Sequence, residues 1–589
     1  MRTDVLPYFL SVILLLSACA PHDAMQATPS LSALQISSPY YPSMVNDLLT
    51  DAKQNPDPIA SNDQRLVALN ILTNPAHLTE AITLRKGLTR RELTAEQTNT
   101  LQLITAKQYL LAHQVDAAIK ILKRPPRATA AAYNPTLRNW LLSQAYLAKK
   151  SVAPFIQSAL AANDTNDATT QRQIIDALQS IEPHLLNTAA IESTDERVKA
   201  YTQAALLVQN HKLTPAAFAA QYAQLQSTYP TWVDRSKTAP RNPQHIAVLL
   251  PFQGALADSA QSILQGILAT YYDEHAGNTD APSLFIEDTS VKGFEATLEA
   301  TLAKQPIDYV IGPLEKSAVQ ALNSPPASTT IIALNKPDSE QDGVKYLYLS
   351  PHEETIALAD KLHQRGYYHA LVISTDNSWQ QKIAETFTEH WQAQGGNTEQ
   401  TILDQSRSFS ASLKHAFSID KSEARAQDLA KLINENFKFI PVRRHDIDMI
   451  FLAASPADAR QIKPLLKYYF AGDIPVYAIS TLYQTSATSY LDKDLNDITF
   501  MDSSWYTNQQ DKSIKNSLLQ IWGQQFLQQK RLYALGHDAY EIIMHSEKIR
   551  ALPHTLQGAT GQLNISTATI QRELEWLRFS KGLPTRVSP

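Results

Sequence analysis

His245-Ile-Ala-Val-Leu-Leu250-Pro-Phe-Gln-Gly254 decides how this chain is read. An unbroken apolar run that stops at Pro and Gly predicts a strand buried on both faces, the kind found in parallel sheets. Working outward, Ala260–Tyr272 has helical spacing, Ser283–Glu287 reads as a strand and Glu295–Ala303 as a helix. Tyr309-Val-Ile-Gly-Pro-Leu314 is a second buried strand with a Gly-Pro turn, and Thr330–Leu334 a third. The rhythm then repeats: strand Ala370–Ser374, helix Trp379–Gln394, strand Met449–Ala454, helix Pro456–Phe470, strand Val476–Ile479. Two such strand–helix series predict two α/β lobes facing across a cleft.

Glycine marks where this architecture begins. Of 16 glycines only Gly87 precedes residue 241; the other 15 run from Gly254 to Gly582. Helix interiors disfavour glycine and strand-to-helix turns use it, so a helical part precedes the α/β part. Within it, Ile104-Thr-Ala-Lys-Gln-Tyr109 with Val115 and Ile119 returns 37 residues later as Leu141-Leu-Ser-Gln-Ala-Tyr146 with Val152 and Ile156. Each copy reads as helix, short polar turn, helix, near the spacing of tetratricopeptide-like pairs. Pro125-Pro126 and Glu182-Pro183 punctuate the series. Further helices are expected over Ala60–Leu72, Ala168–Ile181, Ile191–Asn210 and Pro215–Gln226.

Composition excludes several functions. The 589 residues carry 52 Lys+Arg against 57 Asp+Glu, a net −5, which supplies no electrostatic pull toward nucleic acid. One cysteine rules out an intrachain disulfide and a Cys-rich zinc site. That cysteine closes an N-terminal address: Arg2, the apolar run Val5–Leu16, then Ser17-Ala18-Cys19. Twelve residues are too short to span a bilayer but suit a signal peptide. Leu16-Ser17-Ala18-Cys19 resembles a bacterial lipobox, which implies acylation (palmitate among the chains) at Cys19. Ala20 after the cysteine, by the same resemblance, implies the outer membrane and a chain facing the periplasm.

The expected division is therefore a signal peptide over 1–18, a lipidated tether over 19–43, a helical repeat domain over 44–237, a linker over 238–244 and an α/β domain over 245–589. The last resembles the type I periplasmic-binding-protein fold, so the fold class is α plus α/β, a tetratricopeptide-like solenoid followed by a two-lobed binding-protein-like domain.

A closer resemblance rests on motifs in order. They are Arg443-Arg-His-Asp-Ile-Asp-Met-Ile-Phe-Leu-Ala-Ala454, Gly472-Asp-Ile-Pro-Val-Tyr477, Leu532-Tyr-Ala-Leu-Gly-His-Asp-Ala-Tyr540, Leu556-Gln-Gly-Ala-Thr-Gly-Gln-Leu563 and Arg572-Glu-Leu-Glu-Trp576. Together with the lipobox and the helical N-terminal part they resemble the LpoA family, outer-membrane lipoproteins that activate a class A penicillin-binding protein. The resemblance implies a non-enzymatic regulator of peptidoglycan synthesis, without cofactor, acting as a monomer that docks on a 1A-type synthase and stimulates its transpeptidase. It implies cell-wall and cell-shape functions. Whether the helical domain also holds peptidoglycan stays open. A solute-binding lipoprotein and a helical-repeat envelope scaffold are the alternatives.

No catalytic or metal motif competes. His445-Asp446 leads straight into a strand, His352-Glu-Glu lacks a second His at metalloprotease spacing, and there is no G-x-S-x-G or P-loop. Phe252, Gln253, Gly312, Pro313, Leu314 and Asn335 follow strand C-termini, where α/β folds bind ligands. They are read either as a small-molecule cleft or as turn-shaping residues of a vestigial one. Trp505, Tyr506, Trp522 and Trp576 are interface anchors or core. The polar stretch Asp404–Arg444, with an expected helix over Ser422–Asn436, is a docking surface or a solvated helix.

Overall fold

The computed structural model describes residues 42–587 apart from 127–133, 164–167, 211–212, 214, 230–242, 277–280, 405–407, 435–436, 484–488, 508–510, 553 and 566–569. The expected signal peptide, Cys19, the expected tether up to residue 41 and most of the expected linker lie outside the described residues.

The chain divides into two compact units, 1–149 and 150–589. In the first, α1 (Pro42–Gln54), α2 (Pro58–Leu72), α3 (Leu78–Leu88), α4 (Ala95–Leu111), α5 (Val115–Leu122) and α6 (Pro135–Ala148) follow one another. Their starts are written locally. Asp57 caps α2 with Pro at its first turn, Thr94 and Gln97 form a reciprocal capping box on α4, and Asn134 caps α6. One apolar cluster joins α1–α4 through residues such as Leu66, Leu69 and Ile104; a second joins α4–α6 through Leu103, Leu122 and Leu141.

The second unit opens with α7 (Val152–Ala162), α8 (Ala168–Leu178), α9 (Pro183–Glu192), α10 (Glu196–Gln209) and α11 (Pro215–Thr228). The 37-residue repeat is visible in the turns, since His113 and Lys150, one period apart, both take left-handed backbone (φ 56° and 57°). The single helix expected over Ile191–Asn210 is two. Ser193 Oγ accepts the Asp195 N–H and Asp195 Oδ1 accepts the Arg197 N–H, so a side-chain cap starts α10 without Gly or Pro.

The α/β part follows: β1 (His245–Leu250), α12 (Ala257–Glu274), β2 (Ser283–Asp288), α13 (Phe294–Lys304), β3 (Tyr309–Ile311), α14 (Lys316–Gln320), β4 (Thr330–Ala333) and β5 (Val344–Tyr346). These five strands form one parallel sheet, ordered β2-β1-β3-β4-β5. Along β1 the side chains alternate between two cores, Ile246, Val248 and Leu250 facing α12 and Ala247 and Leu249 facing α13, which is why the run is apolar throughout.

The chain then crosses to a second lobe: α15 (Pro351–Gln364), β6 (His369–Thr375), α16 (Ser378–Ala393), β7 (Asn397–Leu403), α17 (Phe409–Ala416), α18 (Ile419–Ile433), β8 (Met449–Ala453), α19 (Pro456–Tyr468), β9 (Val476–Ala478) and β10 (Ile498–Asp502). It returns to the first lobe with α20 (Lys512–Ala551), which departs from helical geometry at Gly523 and Gln529, and β11 (Leu556–Gln557), β12 (Gln562–Ile565) and β13 (Ile570–Glu573). The last strands, β14 (Glu575–Ser580) and β15 (Leu583–Arg586), complete the seven-stranded sheet β15-β14-β10-β9-β8-β6-β7 of the second lobe. The three crossings between lobes are after β5, between β10 and α20, and between β13 and β14.

Helices α7–α11 are bonded to the first lobe. Asp176 of α8 accepts the Thr555 N–H at 2.6 Å and its hydroxyl at 2.7 Å, and Gln179 Nε2 donates to the Thr555 carbonyl. Lys548 of α20 donates to the Leu213 carbonyl at 3.1 Å.

Candidate functional site

The six residues read as a cleft gather at two corners of the first lobe. At one, the Phe252 N–H and Gln253 Nε2 donate to Asp288 (3.0 and 2.9 Å), and Ser290 donates to the same carboxylate. Those bonds, Ser290 first, hold Asp288 below the ordinary carboxylate range. At the other, Asn335 Nδ2 donates to the Leu314 carbonyl at 3.0 Å and the Leu334 N–H to that of Pro313. Gly312, with φ 122° and a cis bond to Pro313, lets β3 pass β1: a Cβ there meets the Leu249 oxygen at 2.2 Å. The polar groups of this set close loops on themselves.

A cavity of this domain begins one residue further on, at Lys336. It is a cleft of about 670 Å³ walled by the loop after β4, by Tyr346 and Tyr348, by the first turns of α15, by Met501 of β10 and by β12–β13. Three ion pairs lie within the wall, Lys336 with Glu353, Lys361 with Glu573 and Arg572 with Glu354, while Asp338 pairs with Lys316 outside it and Glu340 adds a further carboxylate to the lining. Glu353 also accepts the Tyr348 hydroxyl at 2.8 Å; burial and then that bond raise the phenol's pKa. Glu354 is buried, and its other oxygen accepts Ser480 Oγ of the second lobe at 2.6 Å. Burial raises the Glu354 pKa against the opposing pull of Arg572 and Ser480.

Around the crossings the lobes are tied by a polar lock. Asp538 of α20 is fully buried and accepts the Ala559 N–H (2.6 Å), the Thr560 N–H (2.7 Å) and the Thr560 hydroxyl (2.5 Å). The turn so held takes up the crossing after β10: Ser503 and Ser504 hydroxyls and the Trp505 N–H all reach the Ala559 carbonyl. Nearby, Arg531 of α20 grips Asp502 with two nitrogens (2.9 and 2.6 Å) and donates to the Ser480 and Tyr483 carbonyls. A forked guanidinium–carboxylate pair is a directional tie. Two quoted motifs, Leu532–Tyr540 and Leu556–Leu563, therefore meet in space. Gly536 belongs to the same packing, since a Cβ on it comes within 2.0 Å of the Ile263 oxygen of α12.

Other expectations fall as follows. Trp505 and Trp576 are core residues, and Arg365 stacks over the Trp576 ring at 3.8 Å. Asp446 is held by Arg444 at 2.7 and 2.6 Å, with His445 exposed beside it. Among the described residues no three His, Cys, Asp or Glu side chains are grouped to hold a metal. A larger groove, about 850 Å³ among α9–α11, is lined by Asn, Gln, Leu, Pro and Thr and carries no ionisable side chain. Sequence reasoning passed over Glu354, Arg572, Asp538 and Arg531; the motifs containing Asp538 and Arg572 were the available signal.

The family described as "LppC putative lipoprotein" matches residues 43–582. A Vibrio cholerae protein named penicillin-binding protein activator LpoA is 29% identical over 345 residues, 57% of this chain and 56% of that relative, so the match spans little more than half its length. A protein of the same name from Photobacterium profundum is 24% identical over 98% of this chain and 95% of its own. The crystal structure of Haemophilus influenzae LpoA aligns over 95% of this chain and all of that one, at 18% identity and a TM-score of 0.46.

Proposed function

The chain belongs to the LppC lipoprotein family, and from that membership we propose that it is a non-enzymatic activator of peptidoglycan synthesis. It is anchored through Cys19 in the outer membrane, faces the periplasm as a monomer, and docks on a class A penicillin-binding protein of the 1A type to stimulate its transpeptidase. The observation that carries this reading is the near full-length match to a relative named as a penicillin-binding protein activator. The cleft supports it, because each of the three cations lining it, Lys336, Lys361 and Arg572, is paired with a carboxylate of the wall rather than left to anchor an acidic solute.

A protein that does no chemistry accelerates another only by binding its active state more tightly than its resting state. Tenfold stimulation requires a preference of about 1.4 kcal/mol, a modest share of an ordinary interface. The test is the peptide cross-linking rate of a purified class A penicillin-binding protein with and without this chain, lipid removed. A rise that saturates with dose is expected; no rise with any class A synthase of the same cell defeats the reading. The cleft volume favours solute binding as the second reading, and thermal stabilisation by free amino acids or wall peptides in the same preparation tests it.

A further inference from the structure

Of the 19 large apolar side chains that stand exposed among the described residues, nine lie between 429 and 470. They include Leu432 (83% exposed), Ile440 (74%) and Tyr468 (72%), with Leu429, Phe439 and Phe470 among the rest. Isolated exposed apolar residues are ordinary; a concentration of this kind marks an interaction surface.

The local structure shows why these side chains stay out. Helix α18 spans 15 residues, yet only Ile419 and Ser422 on it are buried. Its Leu429, Leu432 and Ile433 follow helical spacing, the pattern of a face made to be covered. Left-handed residues at both ends, Ser418 and Asn434, turn the chain into and out of the helix. The exposed segment Phe437-Lys-Phe-Ile-Pro-Val442 then returns to the lobe under fixed bonds. The Val442 N–H donates to Ser422 Oγ at 3.0 Å, and Arg443 Nε donates to the Phe470 carbonyl at 2.7 Å while its Nη2 pairs with Asp473. The start of α18, the 437–442 strip and the end of α19 are thus joined on one edge of the second lobe.

Charge selects the occupant. The stretch 404–444 carries eight Lys and Arg against five Asp and Glu, in a chain that totals 52 against 57. Among the described residues Lys421, Arg425 and Lys438 have no carboxylate within ion-pair distance. A symmetric dimer through this edge sets those cations against their own copies. A membrane-lying helix is basic along its polar face, whereas that of α18 also carries Asp420, Glu423 and Asp428. We infer that this edge, formed by Leu429, Leu432, Ile433 and the strip Phe437–Val442 with Tyr468 and Phe470, is the docking surface for an acidic, apolar-centred patch on the periplasmic part of the penicillin-binding protein. The inference rests on the activator reading above.

The experiment measures binding of the full mature chain, lipid removed, to a purified class A penicillin-binding protein, for the wild type, the double variant Phe439→Ser with Ile440→Ser, and Lys438→Glu. Ile191→Ser, at an exposed apolar position on α9 away from this edge, is the control. Truncating central apolar anchors is expected to weaken the dissociation constant at least ~10-fold, with Lys438→Glu weakening it less and Ile191→Ser leaving it unchanged. Circular dichroism and melting establish that the variants fold; Lys438→Glu alters one exposed charge and keeps the test valid where the double variant does not. Wild-type binding that survives both sets of changes overturns the surface and leaves the activator reading intact. Failure of the wild type to bind any such synthase overturns both. Patch-dependent dimers in sedimentation, or patch-dependent binding to phosphatidylglycerol vesicles without loss of synthase binding, also overturn the assignment.

Discussion

Asp538→Ala tests whether one buried carboxylate sets the geometry of the interlobe lock. The substitution leaves the N–H groups of Ala559 and Thr560 and the Thr560 hydroxyl without their acceptor. Each stranded buried donor costs about 1–3 kcal/mol; the hydroxyl rotates to another acceptor, and removal of a buried carboxylate returns part of the loss. The net expectation is about 3–4 kcal/mol. For a unit of about 440 residues, 150–589, unfolding entropy near 2 cal/mol/K per residue converts this into a fall in Tm of roughly 4 °C. The measurement is thermal unfolding followed by tryptophan fluorescence, since Trp505 is buried and bonded to the Ala559 carbonyl. The chain has two compact units, so the transition is assigned by hydrogen exchange: the Ala559 and Thr560 amides lose protection while those of α16 keep it. Asp538→Asn keeps the size but presents an NH₂ to a donor, and falls between. An alanine variant melting within 1 °C of wild type, with those amides still protected, would falsify the reasoning.

His545 is buried in α20, and burial, then the neighbouring Lys548, lower its pKa to about 4; Glu274 and the bond to the Glu541 carbonyl pull the other way, and His537 adds to the lowering. The unfolded chain, titrating near 6.5, takes up a proton that the native state refuses, so stability falls as pH drops through that window. Between pH 7 and pH 5 this term removes about 2 kcal/mol. In urea unfolding at the two pH values His545→Gln is expected to show a pH difference smaller by that amount; an unchanged difference removes His545 from the account. At Gly536 an added Cβ meets the Ile263 oxygen at 2.0 Å, a clash of backbone with backbone. Gly536→Ala is expected to cost about 3 kcal/mol or more in urea unfolding, against the slight gain alanine gives in an open helix; stability equal to wild type refutes the close crossing of α12 and α20.

The strands that order the sheets were legible because parallel strands buried on both faces cannot hide their composition: β1, β3, β4, β6 and β8 were each read within a residue or three of their ends. β5, β7, β10, β11 and β13–β15 were not. β5 and β7 border their sheets, and β7, Asn397–Leu403, is five polar residues before Ile402 and Leu403; β10, Ile498–Asp502, is buried along its length but carries Thr499 and Asp502 and so shows no unbroken apolar run. The break at Ser193–Asp195 was missed because it is made by side-chain caps within an unbroken helical pattern. Asp538 is a harder case. Its partners lie 21 and 22 residues away, and nothing local separates a buried acceptor from a solvated acid. The edge at 429–470 fails for the opposite reason. Leu429, Leu432 and Ile433 have the spacing of a core-facing helix, and sequence alone cannot reveal that they stand exposed among the described residues.

The described contacts also keep the proposed docking edge apart from the tie between the lobes. The first lobe is engaged from within: α8 reaches it through Asp176 and Gln179, Lys548 of α20 bonds the Leu213 carbonyl ahead of α11, and α20 and the 558–561 turn hold the crossings. The apolar edge lies on the second lobe, attached through α17 and the end of α19 and outside the lock formed by Asp538, Arg531 and Asp502. A substitution at Phe439 or Ile440 therefore changes what the second lobe holds while leaving the lobes tied as before. One at Asp538 loosens the tie and leaves the edge in place. Binding and stimulation should accordingly respond differently. Edge variants lose both in parallel, because occupancy falls, and recover stimulation at saturating concentration. Asp538 variants keep affinity for the synthase, and any loss of stimulation persists at saturation. A single proportional loss in both sets would mean that edge and lock act as one element, and that their separation in the fold has no counterpart in function.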